Sequence, residues 1–348
     1  MSTPAGTMRA AVWTATDTAE VRDVPLPDVP DGWALVKIAY NGICGTDLAI
    51  YHGKHPRAQH GLVPGHEMSG WIVQPGASGL AEGTLVAVEP LISCGECRAC
   101  RTGAAHVCNR LGLYGIDTPG GMAAYVALPP HTLHAVPDGV DARLAALVEP
   151  LAVAVHAVAL SGMEQGDTVA VFGAGPIGLL VALVARAEGA GRVVVTEPSP
   201  WRRSVAESFG FDVVPEGSTM TATLHALTGG EGADTTFDSA AHPSVAAELT
   251  DATRVLGRIV VVGVYKEPTP LNLRDVCFKE QTVAGVRVYT TADVTRAIEL
   301  LASGELGLER FPTAAYDLAD VSAAFDAATS GADALKVLVT PLADGADR

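Results

Sequence analysis

Apolar runs of two kinds divide this sequence. Before about residue 150 the runs are short and are interrupted by glycine and proline; examples are WALVKIAY (33–40), SGWIVQPG (69–76), TLVAVEP (84–90) and MAAYVALPP (122–130). Short apolar runs bounded by turn-forming residues are typical of β-strands. We therefore expect the first part of the chain to form a β-rich, barrel-like domain.

The runs that follow alternate between strand-like and helix-like patterns. A glycine-rich apolar stretch at 167–200 predicts strand, turn, helix and strand in succession. Strands are also predicted at 234–240, 258–265 and 281–289, and a helix at 243–256. Such alternation indicates an α/β fold with a parallel, doubly wound sheet. The chain then ends with predicted helices at 292–304 and 318–331 and a strand at 334–341.

The length and the charge of the chain limit its function. Its 348 residues exceed what one hydrophobic core usually serves, so two domains are expected. With 39 acidic and 23 basic residues, the formal net charge of −16 disfavours nucleic acids and anionic membranes as partners. No run predicts a membrane span, and the N-terminus lacks a secretory signal pattern, so we expect a cytoplasmic protein.

Four of the six cysteines follow the spacing C-x2-C-x2-C-x7-C. In a reducing compartment clustered cysteines bind metal more often than they form disulfides, and four thiolates complete a tetrahedral zinc site. We expect a structural zinc held by Cys94, Cys97, Cys100 and Cys108, with two disulfides as the alternative. Such a site has no open position, so any chemistry lies elsewhere. Cys277 is expected to pack in the core.

A smaller set of zinc ligands is predicted upstream. Cys44 lies in GICGTD, and His66 and Glu67 lie in VPGHEMSG. A zinc ion with fewer protein ligands keeps a position for water or substrate, as a catalytic site requires. Glu149 begins an apolar helix, where a carboxylate is costly unless a cation faces it. Each residue alone is weak evidence of function, since a lone cysteine is usually a core residue.

A dinucleotide-binding motif follows the first strand of the α/β part. Gly173, Gly175 and Gly178 form G-x-G-x-x-G, with Pro176 and Ile177 inside it, between a predicted strand and a predicted helix. The glycines permit a tight turn and the close approach of a pyrophosphate, and the helix N-terminus supplies free N–H groups. In this context the motif predicts a nicotinamide dinucleotide as cofactor.

An acidic residue, Glu197, stands at the end of the next predicted strand, where an acid binds the ribose hydroxyls of adenosine. A carboxylate there repels a 2′-phosphate, so NAD is favoured over NADP. Ser199, Arg202 and Arg203 follow closely, and they would hold a 2′-phosphate if the loop turned toward it. We expect Arg202 to lie beside the cofactor.

Together these motifs resemble the zinc-dependent medium-chain dehydrogenases/reductases of the alcohol dehydrogenase superfamily, over essentially the whole chain. The matching segments are GICGTD, GHEMSGWIVQPG, the four-cysteine loop, VEPLAVAVHAV and GAGPIG. The resemblance implies a GroES-like catalytic domain at 1–152, a Rossmann NAD-binding domain at 153–290, and a C-terminal segment at 291–348 that returns to the catalytic domain. It also implies an active site in the cleft between the domains.

The resemblance also implies roles for individual residues. Cys44 and His66 look like ligands of the catalytic zinc, the second of two zinc ions per chain. Glu67 and Glu149 are similar to the two carboxylates that share or exchange at this zinc in the polyol branch. The segment EPLAV resembles the sorbitol, butanediol and threonine dehydrogenases. Thr46 corresponds to the hydroxyl that takes the proton of the alcohol.

The predicted substrate pocket combines family positions with a departure. Tyr51 and Tyr289 resemble pocket-lining residues. Many relatives have a histidine five residues after the first cysteine, which passes the proton to solvent, but this chain has Ala49. His52, an ordered water or Glu149 would then serve, and we expect His52 at the pocket. The segment YHGKHPRAQHG lacks the tryptophan-rich acidic stretch usual in threonine dehydrogenases, which disfavours threonine.

We therefore expect an enzyme that transfers hydride between NAD and a small secondary alcohol, such as a polyol, sugar alcohol, cyclitol or aminocyclitol. The alternatives on the same scaffold are a threonine-type or simple secondary-alcohol dehydrogenase and an NADPH-dependent carbonyl reductase. A NAD-binding or zinc-lobe protein without activity would need neither Cys44 nor Thr46. Because relatives are dimers or tetramers, often paired near RIVVVGVY and QTVAGVRVY, a homodimer or homotetramer is expected.

Overall fold

The computed structural model describes residues 6–342 of the chain. The chain divides into two compact units, and each is continuous in space although the first is not continuous in sequence. The first unit consists of Met1–Glu149 and Thr290–Arg348, and the second of Pro150–Tyr289. These limits fall within three residues of the domain limits predicted from the sequence, 152 and 290.

Strands and helices are distributed over both units. The strands are β1 (Thr7–Ala15), β2 (Thr18–Pro25), β3 (Ala34–Gly42), β4 (Glu67–Gln74), β5 (Leu85–Val88), β6 (Leu91–Ile92), β7 (Gly112–Leu113), β8 (Tyr125–Leu128), β9 (Leu133–Ala135), β10 (Thr168–Phe172), β11 (Arg192–Thr196), β12 (Asp212–Val213), β13 (Ala233–Asp238), β14 (Thr253–Val261), β15 (Thr282–Gly285), β16 (Thr313–Asp317) and β17 (Lys336–Thr340). The α-helices are α1 (Gly45–Tyr51), α2 (Arg98–Arg101), α3 (Ala142–Ala145), α4 (Val148–Ser161), α5 (Pro176–Ala187), α6 (Pro200–Ser208), α7 (Met220–Thr228), α8 (Pro243–Ala246), α9 (Leu249–Ala252), α10 (Leu273–Phe278), α11 (Thr291–Ser303) and α12 (Val321–Ser330). Short 3₁₀ helices lie at Ala105–Val107, Pro130–Thr132, Leu308–Arg310 and Leu318–Asp320.

The first unit is built on a seven-stranded sheet. Its order is β16-β17-β3-β4-β5-β9, and β8 also pairs with β3. All pairs are antiparallel except β16–β17. Gly42 at the end of β3 lies between Glu67 of β4 and Leu338 of β17. The C-terminal strand is therefore next to the strand that leads into Cys44, although the two are far apart in sequence.

The second unit is an open sheet of six parallel strands with the order β12-β11-β10-β13-β14-β15. Numbered along the unit, this order is 3-2-1-4-5-6, that of the doubly wound dinucleotide-binding fold. Strand β10 is buried on both faces, and Phe172 at its end packs in a cluster with Val194 and Ile259. The turn after β10 therefore lies at the carboxyl edge of the sheet, where such folds bind their ligands.

One predicted element of the second unit is wrong. The stretch 243–256, predicted as one helix, forms the short helices α8 and α9 and then enters β14 at Thr253. The Thr253 hydroxyl donates a hydrogen bond to Thr236 on the neighbouring strand β13, at 2.8 Å. The β-branched residues of this stretch thus extend the sheet, and pairing with β13 overrides the helical pattern.

Residues 6–342 contain twelve α-helices. None of the helices in this range is long and apolar enough to cross a bilayer.

Candidate active site

Three side chains from two segments of the chain meet where β3 ends and β4 begins. Cys44 is the N-terminal cap of α1, His66 directly precedes β4, and Glu67 is its first residue. Their ligand atoms all lie within 4.8 Å of one another, and both His66 and Glu67 are buried. One thiol, one imidazole and one carboxylate at this spacing fit a zinc ion that keeps a position for another ligand.

Asp47 fixes the geometry of this cluster. Its Oδ2 accepts the N–H of Cys44 at 2.9 Å, and its Oδ1 accepts that of Gly65 at 3.2 Å. Oδ1 also lies 3.5 Å from Nδ1 of His66. Burial opposes a charged ring, but Asp47 and the Cys44 thiol raise the pKa of His66 well above its usual value. Because Nδ1 faces a carboxylate, Nε2 is the nitrogen free to bind a metal, an orientation common in metal sites.

A buried lysine adjoins the cluster. Lys336, the first residue of β17, donates a hydrogen bond from Nζ to Oε1 of Glu67 at 2.6 Å, and the Ile43 carbonyl accepts another at 3.3 Å. Burial lowers the pKa of Lys336, but the charges of Glu67, Cys44 and Glu149 raise it above its usual value. Lys336 is therefore a charged group in the interior.

Two other predicted residues lie near the cluster in different ways. The hydroxyl of Thr46 is 4.0 Å from the sulfur of Cys44, on the first turn of α1. Glu149 is 9% exposed, but it is not among the three residues whose ligand atoms lie within 4.8 Å of one another. The structure thus brings together three of the four predicted ligands, and the charge of Glu149 acts on the neighbouring Lys336.

The four clustered cysteines form a second possible metal site in the first unit. Their sulfurs lie within 4.8 Å of one another, and the shortest separations are 3.5 Å for Cys97–Cys100 and 3.9 Å for both Cys94–Cys100 and Cys97–Cys108. Zinc–sulfur bonds of about 2.3 Å in a tetrahedron place sulfurs about 3.8 Å apart. The four thiols are free, so the alternative of two disulfides is not what the structure shows.

Backbone N–H groups prepare this loop for negative sulfurs. The N–H of Cys97 donates to the sulfur of Cys94 at 3.4 Å, and that of Arg110 to the sulfur of Cys108 at 3.3 Å. Hydrogen bonds from Cys97, Glu96 and Arg110 lower the pKa of Cys94 to about 5. Desolvation raises the pKa of Cys100 to about 11. Since zinc binds thiolates, its binding would have to remove the proton from Cys100.

The glycine-rich turn of the second unit has the form that the motif predicts. Gly173 has a φ of 96°, which favours glycine, and Gly175 caps α5, whose first residue is Pro176. A Cβ atom on Gly178 would lie 1.9 Å from the carbonyl oxygen of Gly173. Helix α5 can therefore pack this close to the turn only with glycine at 178, and Ile177 lies in its first turn.

Glu197 and Arg202 flank this turn. Glu197 follows β11, and its two carboxylate oxygens accept the N–H groups of Ala174 and Ser199, each at 2.9 Å. The guanidinium of Arg202 lies 3.7 Å from the place of a Cβ on Gly175. By contrast, the carbonyl oxygens of Glu197 and Pro198 accept hydrogen bonds from Arg203. Of the two arginines, Arg202 is the one beside the glycines.

Comparison with known proteins identifies the family. Residues 30–138 match the alcohol dehydrogenase GroES-like domain, and residues 176–303 match the zinc-binding dehydrogenase domain. The chain is 39% identical over 312 residues to 2-dehydro-3-deoxy-L-galactonate 5-dehydrogenase from Pseudoalteromonas atlantica, a match that covers 88% of this chain and 91% of that protein. The chain belongs to the zinc-binding alcohol dehydrogenase family.

Two further members show the range of this dehydrogenase family. L-Threonine 3-dehydrogenase from Pyrococcus horikoshii is 34% identical over 86% of this chain and 88% of its own. The solved structure of 2R,3R-butanediol dehydrogenase from Bacillus subtilis has a TM-score of 0.89 at 29% identity, and the match covers 96% of this chain and 100% of that chain. The predicted family, its GroES-like and Rossmann folds, and an enzyme acting on CH–OH groups are thereby confirmed.

Three residues of this dehydrogenase were expected at the substrate pocket, and the structure gives the surroundings of each. Tyr51 is 7% exposed and stacks on Phe325 with ring centroids 4.4 Å apart, inside an apolar cluster. His52 contacts Asp17, with 2.5 Å between Nδ1 and Oδ1. Tyr289 is completely buried at the end of the second unit. The structure thus shows Tyr51 packed in an apolar cluster and His52 beside an exposed carboxylate, and the pocket roles expected for these residues stay predictions.

Two residues at the site of this dehydrogenase were not predicted from the sequence, and Cys277 lies elsewhere than predicted. Asp47 and Lys336 both contact the candidate metal ligands. The sequence contains a signal for each of them: an acid three residues after Cys44, and a lysine inside the apolar run ALKVLVTP. Charged residues are rarely buried without a partner, so such a lysine indicates an acid facing it. Cys277, expected in the core, is exposed on α10.

Proposed function

We propose that this dehydrogenase oxidises a secondary alcohol of a polyhydroxylated substrate, a sugar acid or polyol, with NAD as the hydride acceptor. The observation that carries the proposal is the group of partly buried Cys44 with buried His66 and Glu67, beside the hydroxyl of Thr46. When bound, zinc at this group acidifies the alcohol, and NAD takes up the hydride. The second zinc of the proposed pair is structural and is held by the four-cysteine loop.

The residues of this chain have separate tasks in the proposed reaction. Cys44, His66 and Glu67 hold the metal, and Asp47 keeps the imidazole of His66 in the orientation that leaves Nε2 available. Thr46, whose hydroxyl lies 4.0 Å from the sulfur of Cys44, would relay the proton: its oxygen accepts the proton of the substrate hydroxyl while its own O–H proton passes on toward solvent. Glu149 contributes negative charge at the edge of the cluster and is a candidate for exchange with Glu67.

The proposed preference for NAD rests on Glu197. Its carboxylate is held against the glycine-rich turn by two backbone N–H groups, so a 2′-phosphate near that turn would meet a fixed negative charge. Arg202 is the group that would favour NADP, since its guanidinium lies beside Gly175. NADP is therefore the second candidate cofactor.

The proposed substrate class is supported by the relatives. The relative at 39% identity is named for a sugar acid, and the structural neighbour is named for a diol. Threonine is the second candidate substrate, because a relative at 34% identity is an L-threonine 3-dehydrogenase. Sugar acids and threonine share a carboxylate near a secondary hydroxyl, whereas a polyol lacks the carboxylate. A substrate panel should therefore contain all three kinds.

Absorbance at 340 nm tests the proposal. The protein is incubated with NAD or NADP and with sugar acids, sugar alcohols, cyclitols, 2,3-butanediol and L-threonine. We expect NAD to be reduced with a sugar acid or polyol. Cys44→Ala should abolish this turnover while leaving NAD binding nearly intact, because the glycine-rich turn lies in the other unit. Turnover retained by Cys44→Ala would contradict the zinc chemistry, and turnover with threonine alone would select the second candidate.

We also propose a cytoplasmic homodimer or homotetramer. Support for the location comes from the six cysteines, all of which are free, as in a reducing compartment. Support for the assembly comes from β15, the last strand of its sheet, beside which large apolar side chains are exposed: Val255, Leu256, Leu273, Phe278 and Val283. Light scattering after size-exclusion chromatography tests it, and Phe278→Lys with Val283→Lys should then yield monomers.

A further inference from the structure

Lys336 and Glu67 form an ion pair inside the first unit. The Nζ–Oε1 distance is 2.6 Å, and the two residues are 3% and 1% exposed. The two residues are 269 positions apart in sequence, and they meet because β3 lies between β17 and β4. Removing two charges from water is costly, so a pair this deep is retained at an energetic cost and calls for an explanation in function.

The second oxygen of Glu67 is held differently. Oε2 is buried, and among residues 6–342 it has no hydrogen-bond partner. It lies over the backbone of Gly42, where a Cβ atom would stand only 1.9 Å away. Glycine at 42 therefore makes room for the carboxylate. One oxygen of Glu67 is bound by Lys336, and the other remains available as a ligand at the cluster with Cys44 and His66.

Lys336 is also the cation of an otherwise acidic site. Glu67, Cys44 and Glu149 all act on it, and a carboxylate oxygen of Asp47 lies 3.5 Å from His66 Nδ1. A fixed positive charge beside a metal-binding group attracts the same carboxylate that the metal attracts, and it repels the metal ion itself. Both effects weaken the hold of the site on a divalent cation.

We propose that Lys336 is a positioning residue that competes with the metal for Glu67 and so keeps this carboxylate a removable ligand. The proposal rests on the proposed function, because it concerns the same metal site. The strength of metal binding and the freedom of Glu67 to leave are then set by the first residue of β17. Lys336 itself contacts neither substrate nor cofactor in this proposal.

Zinc release to a coloured chelator, 4-(2-pyridylazo)resorcinol, measures the effect directly. The release phase of the Cys44 site is assigned as the one that Cys44→Ala removes. In that phase Lys336→Met should release zinc about tenfold more slowly than the wild type, because a like charge next to the ion is gone. Lys336→Arg keeps the charge and should release zinc at close to the wild-type rate.

Two further variants make the test decisive. Lys336→Gln keeps a hydrogen-bond donor for Glu67 but lacks the charge, so it should also slow release, and it serves if Lys336→Met fails to fold. Lys279→Met is the matched control: Lys279 is a partly buried lysine of the second unit that donates to the Thr250 carbonyl at 2.7 Å. It should leave release unchanged. Release by Lys336→Met and Lys336→Gln at the wild-type rate or faster would overturn the proposal.

Activity and zinc release separate this proposal from the proposed function. A wild type that reduces NAD with no alcohol of the panel, but whose zinc release slows in Lys336→Gln, would refute the proposed function and retain the role of Lys336. An active wild type with unchanged release in both variants would do the reverse. With turnover present, Lys336→Gln should lower kcat and leave KM for NAD unchanged, since it acts only at the metal site.

Discussion

The carboxylate of Glu197 is bonded to the backbone N–H of Ala174, 2.9 Å away inside the glycine-rich turn. The acid at the end of β11 is therefore part of the turn that receives the pyrophosphate, and its charge is fixed in place. A carboxylate held in one position discriminates more strongly between NAD and NADP than a mobile one, because the 2′-phosphate of NADP cannot displace it.

Glu197→Gln should shift cofactor preference toward NADP. The amide oxygen still accepts one backbone N–H, but the charge that repels a 2′-phosphate is gone, so we expect the ratio of kcat/KM for NADP to that for NAD to rise roughly tenfold. Steady-state rates with each cofactor measure this ratio. Glu216→Gln, a change at an exposed acid beside Arg203, is the control and should leave the ratio unchanged. An unaltered ratio in Glu197→Gln would show that Glu197 does not select the cofactor.

Thr46→Ala should lower kcat by about a hundredfold or more, because a positioned proton acceptor contributes at least that factor. Alanine is a good helix former, so α1 and the melting temperature should be little affected. Thr46→Ser keeps the hydroxyl and should retain most of the activity. The values of kcat at saturating substrate and thermal melts decide the matter. Comparable rates in Thr46→Ala and Thr46→Ser would exclude the hydroxyl as the proton acceptor.

The thiols of the four-cysteine loop should differ in reactivity when zinc is removed. With a pKa of about 5, Cys94 is a thiolate at pH 7, whereas Cys100, with a pKa of about 11, stays protonated. Iodoacetamide at pH 7 should therefore label Cys94 much faster than Cys100. Peptide mass spectrometry in a Cys277→Ser background reads out both sites, and added zinc should protect all four cysteines. Equal labelling of Cys94 and Cys100 would contradict the difference between their pKa values.

The same shift makes the zinc-free loop sensitive to acid. The pKa of Cys94 in the folded chain lies below its ordinary value of 9.0, so the thiolate favours the folded state. This contribution is complete above pH 9, falls as the pH drops, and is absent below about pH 5. Melting temperatures of the zinc-free protein across this range should decline more steeply than those of a Cys94→Ser variant.

His52→Ala should change kcat by no more than about twofold, as is usual for surface substitutions. The imidazole pairs with Asp17, which is more than half exposed, so it belongs to the surface of the first unit. Rates measured at several pH values test this expectation, with Thr46→Ala as the comparison. A loss in His52→Ala as large as that in Thr46→Ala would restore His52 as the relay that replaces the histidine absent at Ala49.

Within the second unit, local sequence predicted the glycine-rich turn correctly but not the conformation of residues 243–256. The turn at Gly173, Gly175 and Gly178 depends on backbone freedom and on the strand and helix that flank it, all of which are visible within one short stretch. The helix predicted at 243–256 failed because Thr253 pairs with a distant strand. Tertiary pairing of this kind leaves no periodic signal in the sequence.

The candidate metal ligands show the same contrast between what local sequence predicts and what tertiary pairing decides. Cys44, His66 and Glu67 were predicted as separate motifs, and the pairing of Gly42 with Glu67 brings these segments together. Lys336 could not be paired with Glu67 from spacing alone, because the contact depends on the register of β17 against β3. An aromatic residue next to a site motif, such as Tyr51, has the same pattern whether it faces a pocket or the core, so the sequence alone does not distinguish the two.

The position of β17 beside β3 has a consequence for how the protein is made. A ribosome adds Lys336 to the chain 269 residues after Glu67. A nascent chain therefore carries Cys44, His66 and Glu67 without Lys336 until β17 is synthesised, and the site cannot reach its final charge before then. A chain that ends before β17 would bind metal with a different strength, because the buried carboxylate of Glu67 would lack its counter-ion.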